Sequence, residues 1–230
     1  MIEQKTLGTT NFLTIQALCI DAQQESQFIG VVGYPGAGKT ISLTAYSKKN
    51  PHVYYVRVTT SMSAKQFFLT ILQKLGLEGK SQGNTLHDLI NSIAFKLNYS
   101  KYKKLLIIDE AGKFKPKFLE YLHELRDKTD HGTGIVMAGP EYFKDNILNW
   151  SRKGVVGIPE LLRRVNHWEQ LDPPTKEEIH ALCETYNVNS LSFRNQLWTT
   201  VTNFAEAFSK IKNYLKLKEK NKNNKSVQKN

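Results

Sequence analysis

The chain has 230 residues and 26.3 kDa, enough to bury a core without disulfide or metal staples and to form one large domain with a small one attached. Its apolar runs, such as residues 105–108, are too short to span a bilayer, and the N-terminus, with Glu3 and Asp21, lacks the apolar core of a secretory signal. Cys19 and Cys183 cannot build a zinc cluster or a disulfide framework, which points to a reducing cytoplasm and no membrane, while a net charge of +11 points to a polyanion partner.

Residues 11–24 read as a helix, with Phe12, Ile15, Leu18 or Cys19, and Ala22 near helical spacing. Residues 28–32 form a short, β-branched run typical of a buried strand. A helix is expected over 39–48, a strand over 53–58, and a helix over 64–75 whose stripe is Phe67, Phe68, Ile71, Leu72 and Leu75. Gly76 and residues 79–83 mark a loop. Leu86, Leu89, Ile90, Ile93 and Leu97 share a face of the next helix, and 104–108 is a buried strand. Phe114, Phe118, Leu122 and Leu125 mark another helix, followed by strands at 134–138 and 165–171. Strands that alternate with helices in this way predict an α/β fold, a parallel sheet with helices on both faces, over residues 1–171. After Pro173 and Pro174 a capping box, Thr175 and Glu178, opens a helix through Ile179, Leu182, Cys183 and Tyr186. Further helices are expected over 191–201 and 204–217, so 172–218 reads as a small helical lid. Residues 219–230 have almost no apolar content and read as a disordered tail. From 210 onward the chain holds eight lysines and one acid, Glu219, so most of the net charge sits there, for a polyanion or for solubility.

Chemistry concentrates at Gly33, Tyr34, Pro35, Gly36, Ala37, Gly38, Lys39 and Thr40, a full GxxxxGK[ST] phosphate-binding loop between a predicted strand and a predicted helix. Its glycines let backbone N–H groups turn toward phosphates, and the helix start adds positive partial charge. Lys39 would reach the β- and γ-phosphates, Thr40 would hold Mg2+, and Ile41 completes the nucleotide-binding run. About seventy residues on, a buried strand delivers Asp109 and Glu110. Asp109 would orient the magnesium shell, and Glu110 would polarise a water for attack on the γ-phosphate. The two motifs together predict ATP as cofactor, with Mg2+, and its hydrolysis.

These motifs, with a helical lid, resemble the AAA+ ATPases. Within that class the chain is similar to the ATPases of bacterial DNA transposition, of the phage Mu B protein and Tn7-type regulator kind. The likeness runs over residues 6–186, through GYPGAGKT, YYVRVTTSMSAKQFF, LLIIDEAGKF, LEYLHELRDKT, GTGIVMAGPEYF and LLRRVNHWEQLDPPTKEEIHALCETY. It implies a P-loop protein that assembles with ATP as a ring or helical filament on double-stranded DNA, with little sequence specificity, marks target DNA and stimulates a transposase. A helicase-loader or secretion-associated ATPase has the same core, and a nucleotide-gated scaffold without DNA is a further alternative.

The sequence departs from that pattern at three places. The polar residue that senses the γ-phosphate after the fourth strand is replaced by Gly139. The lid arginine near the last helix is replaced by Ala205 or Asn203, so slow hydrolysis is expected. The N-terminal helix-turn-helix domain of the Mu B protein has no counterpart in the roughly thirty residues before the loop. The resemblance also implies an arginine finger acting on a neighbouring subunit, at Arg164 or, failing that, Arg163. DNA contacts are expected from three groups: Thr60, Ser61 and Lys65; Lys113, Lys115 and Lys117; and Lys103 and Lys104 with Lys101. Each cluster also reads as a solvated face. The six histidines show no ligand spacing, and Trp150, Trp168 and Trp198 read as packing residues.

Overall fold

The computed structural model describes residues 7–77, 85–99, 101–129 and 131–227, with side chains through residue 220. The expected loop over 79–83 lies outside the described residues. The chain divides into a sheet unit, residues 13–33 and 39–171, and a helical unit that gathers residues up to 12, 34–38 and those from 172 onward.

In chain order the elements are α1 (Thr10–Glu25), β1 (Phe28–Val32), α2 (Lys39–Lys49), β2 (Val53–Arg57), α3 (Ala64–Lys74), α4 (Leu86–Asn98) and β3 (Lys104–Asp109). A 3-10 turn (Ala111–Lys113) leads to α5 (Pro116–Asp127), β4 (Thr133–Gly139), α6 (Tyr142–Arg152), α7 (Ile158–Arg164) and β5 (His167–Gln170). The helical unit continues with α8 (Lys176–Thr185), α9 (Leu191–Thr200) and α10 (Phe204–Val227).

Among the described residues all five strands are parallel, in the order β2-β3-β4-β1-β5. Parallel pairing buries a sheet on both faces, and β1, β3 and β4 are accordingly buried along their whole length. Successive side chains alternate between the faces. Phe28, Val32, Leu106, Ile108, Ile135 and Met137 meet α3, α4 and α5 in one core, around Phe67, whose ring sits edge-on to Phe68, Phe114 and Phe118. The opposite face carries Ile29, Val31, Leu105, Ile107, Val136 and Ala138, all buried. There α1 comes so close that a Cβ on Gly134 would lie 1.9 Å from the Ala22 carbonyl oxygen. Only glycine permits that approach. Trp150 and Trp168 pack on the first core.

The parallel order brings the carboxyl ends of β1 and β3, on either side of β4, to the same edge of the sheet. In open α/β sheets, ligands bind beyond the carboxyl ends of the strands.

In the helical unit, Ile179, Leu182, Cys183, Val188, Leu197, Ala207 and Ile211 form a separate core, with Trp198 against it. The Thr175–Glu178 capping box is formed in full. Two features depart from the expectations. Helices α6 and α7 fill the stretch between β4 and β5, where no helix was assigned. Helix α10 continues through the segment read as a disordered tail, as far as Val227, and residues 228–230 lie outside the described residues. Lysine is a good helix former, so charge and low hydropathy alone do not stop a helix already nucleated by Phe204 to Leu215.

Candidate nucleotide site

Residues 33–38 leave β1 and turn directly into α2. Gly36 and Gly38 hold φ of 87° and 89°, a region that side chains other than glycine rarely enter. Within the helical unit, Gly36 abuts the start of α10: a Cβ there would lie 2.6 Å from Asn203 Oδ1 and 3.0 Å from the Ala205 methyl. Asn203 and Ala205, the two residues standing where the lid arginine was sought, are thus the ones beside the loop. Asn203 Oδ1 also accepts from the Glu206 amide and caps the helix.

Within the sheet unit, the Lys39 ammonium donates to the Gly33 carbonyl at 2.6 Å. Burial pushes its pKa below the usual lysine value, against the raising effect of Asp109, Glu110 and Glu141. A cation held this way, short of solvent and facing carboxylates, is poised for a bound anion. Thr40 donates its hydroxyl to Asp109 Oδ2 at 2.8 Å. Asp109 is buried, and it also accepts from the Tyr55 hydroxyl (2.7 Å) and, through Oδ1, from the Glu110 amide (2.9 Å). A hydroxyl and a carboxylate brought together on a rigid strand and helix end are oxygen donors of the kind a hard divalent cation takes, so the residues present fit Mg2+.

Glu110 follows with φ of 62°, left-handed backbone that is costly for a residue with a side chain. Its carboxylate meets Arg57 at 3.2 Å through Oε1 and Lys113 at 3.2 Å through Oε2. Partial burial would raise its pKa, but hydrogen bonds from Lys113 and Arg57 outweigh this and hold it below the ordinary glutamate value. The carboxylate is therefore ionised, and restrained from both sides.

Three residues escaped the sequence reading. Tyr55 and Arg57 sit two apart on β2, so they share a face, and the pairing of Arg57 with Asp109 carries both to the Asp109–Glu110 step. Their spacing is visible in the chain, but their relevance depends on β2 lying next to β3. Glu141 is the third: it acts on Lys39 and accepts from Gln170 Nε2 at 3.2 Å. Gly139, where a polar sensor was expected, is packed so closely that a Cβ would come within 2.7 Å of the Phe143 ring.

The other candidate residues separate into three places. Thr60, Lys113, Lys115 and Lys117 come together in one groove of about 280 Å3, with Thr59, Ser63 and Tyr121. Ser61 and Lys65 are exposed beside it. Lys117 is engaged by Glu120. Lys103 and Lys104, by contrast, belong to the opposite end of β3, roughly 17 Å from Asp109 at ~3.3 Å per residue. As a DNA contact Lys104 is corrected by the structure. Lys104 is buried and donates to the Leu97 carbonyl, so its ammonium serves the fold, whereas Lys103 is exposed and donates to Ser26 Oγ and the His131 carbonyl. Arg164 lies at the end of α7 and donates to Asp127 Oδ1 at 2.7 Å, with Arg163 exposed next to it.

A parallel sheet with a glycine loop after its first strand, Lys39 and Thr40 at the head of a helix, and Asp109 on a neighbouring strand define a P-loop NTPase of the AAA+ type. Residues 22–147, more than half of the chain, match the AAA domain family, and the chain belongs to it. No curated protein sequence matches it. Solved structures similar in fold include the ORC2 protein of Aeropyrum pernix, in ADPNP-ADP complexes, at 14% identity over 75% of this chain with a TM-score of 0.58. CDC6P from Pyrobaculum aerophilum is 17% identical over 79% of this chain, with a TM-score of 0.59. The Aeropyrum pernix ORC1 protein in complex with DNA is 12% identical over 79%, with a TM-score of 0.55. In each case the match covers 50% of the solved chain. Among the described residues no helix is long and apolar enough to cross a membrane.

Proposed function

We propose that this chain is an ATPase that binds ATP with Mg2+, assembles on double-stranded DNA as a ring or filament, and regulates transposition by marking target DNA for a transposase. The observation that carries the reading is the run from Lys39 and Thr40 through Asp109 to Glu110, with Lys113 shared between Glu110 and the basic groove. Lys39 holds the β- and γ-phosphates, and the loop amides and the start of α2 surround them. Thr40 and Asp109 hold the magnesium ion, which when bound draws charge from the phosphate oxygens. Glu110 accepts the proton of the attacking water once Arg57 and Lys113 yield it. Without a sensor side chain at position 139 or a lid arginine near Ala205, turnover is slow, as suits a switch that persists on DNA.

Arg164 supplies the finger to a neighbouring subunit, since an exposed ion pair such as that with Asp127 is worth little and exchanges readily. Arg163 beside it is the second choice. Thr60, Ser61, Lys65, Lys113, Lys115 and Lys117 contact phosphates, which carry no sequence information, so sequence preference is weak. The solved ADPNP-ADP complexes of ORC2 and DNA complex of ORC1 support the two ligands, and the sequence resemblance supports transposition.

The test pairs two variants. Lys39→Ala is expected to lose ATP binding and ATP-dependent retention of duplex DNA on a filter together. Glu110→Gln is expected to bind ATP, hydrolyse it poorly and form longer-lived DNA complexes. ATP binding unchanged in Lys39→Ala overturns the nucleotide reading. Absence of duplex retention both with and without ATP overturns the DNA reading and favours a scaffold. Small rings without filaments, with no stimulation of a transposase, favour a loader.

A further inference from the structure

We infer that the end of the sheet unit opposite the phosphate loop, where α4 finishes and β3 begins, is a binding surface for single-stranded nucleic acid. Three large rings stand in solvent there: Phe95 is 70% exposed, Tyr99 77% and Tyr102 52%. With His52 they form two parallel pairs. Phe95 in the last turn of α4 and Tyr99, the residue that caps its end, stack at 5.6 Å with planes 13° apart. Tyr102 stacks on His52, before β2, at 4.6 Å and 10°. Tyr99 and Tyr102 are three residues apart, so their Cα atoms lie within ~11 Å of each other. The core gains nothing from exposed rings, and aromatic side chains left in water beside one another mark a surface that is covered by something.

The charge says what covers it. Lys96 and Lys101 are exposed on the same short stretch, and the Lys101 ammonium lies 5.2 Å from the Tyr102 ring centre. Lys48 and Lys49, at the end of α2 just before His52, are exposed as well. No carboxylate occurs from residue 26 to 77 or from 89 to 108, the two stretches that supply the patch. The partner is therefore an anion with flat faces. A duplex hides its base faces within its own stack, whereas a single strand offers a base for each ring and a phosphate for each ammonium. This surface is separate from the groove proposed for duplex DNA, and from Glu110 at the far end of β3.

Fluorescence anisotropy with a labelled oligo(dT) of about 20 nucleotides, an oligo(rU) of equal length and a blunt duplex tests it on the full chain, without nucleotide. The two single strands present the same kinds of base faces and phosphates, and binding of either one that weakens in the serine variant supports the surface. The double variant Tyr99→Ser, Tyr102→Ser is expected to bind the single strand at least tenfold more weakly, at roughly tenfold per lost base stack, and the duplex as before. Lys96→Gln with Lys101→Gln is expected to weaken single-strand binding and flatten its salt dependence. All four side chains are exposed, so thermal melts should coincide with that of the unmodified chain. The inference is overturned if that chain binds neither oligonucleotide. It is also overturned if the serine variant binds them unchanged while the glutamine variant does not, which would make the patch a plain polyelectrolyte. A changed sedimentation coefficient in the serine variant with unchanged oligonucleotide binding would overturn it in favour of a protein interface.

Discussion

Glu110 has a partner on each carboxylate oxygen, and the two act in the same direction. Its folded pKa lies below the ordinary value, so the ion pairs stabilise the fold above the carboxylate range, and that contribution is lost as pH falls through the depressed pKa. Arg57→Ala removes one partner and leaves Lys113. The Glu110 carboxyl titration, followed by carbon-detected NMR, is expected to move upward toward the ordinary glutamate value. The melting temperature at neutral pH should barely change, because the Arg57 side chain is more than half exposed and Lys113 still pairs with the carboxylate. A titration that stays where it is would mean Lys113 alone holds the carboxylate.

At the scale of elements, α3 shows how a helix position is set by its stripe. Phe67 touches three other rings and is fully buried, so Phe67→Ala is expected to cost about 3–5 kcal/mol in a denaturant melt. A loss under 1 kcal/mol would mean the cavity collapses freely. That stripe was legible in the sequence, as were Phe28 to Val32, the phosphate loop and the Thr175–Glu178 box. These features depend on periods of two and 3.6 and on local hydrogen bonds, which a chain carries in its own order. Helix α6 was legible too, in Phe143, Ile147 and Trp150 at spacings of four and three, but Pro140 and the polar residues between them masked it. Helix α7 is seven residues long with Pro159 at its start, too short for a period. Tyr55, Arg57 and Glu141 could not be read as site residues, because their roles depend on strand order. Lys104 was misread because a lysine at a strand start looks exposed until the Leu97 carbonyl is found beneath it.

For the whole molecule, assembly and charge are the testable properties. Arg164→Ala should leave ATP binding intact and reduce hydrolysis. Mixed with a Lys39→Ala chain, it should regain activity wherever a sound site meets a sound finger, and no recovery at any ratio would assign the arginine to its ion pair with Asp127. Removing residues 219–230 deletes four lysines and Glu219. If that stretch lies along duplex DNA, the slope of log affinity against log salt shrinks by ~0.9 per lost contact, roughly 2–4 units in all. Identical slopes with and without the stretch would give it a solubilising role.

The backbone at Glu110 sets function against durability. A left-handed φ of 62° is a conformation that glycine adopts freely and glutamate does not. Glu110→Gly is therefore expected to gain under about 1 kcal/mol of stability, the relief of the backbone less the weak, partly exposed ion pairs to Arg57 and Lys113, seen as a higher melting temperature even as it removes the carboxylate on which hydrolysis is proposed to depend. A selection that rewarded only a longer-lived fold would drift toward glycine here, so keeping glutamate requires a continuing demand for its carboxylate.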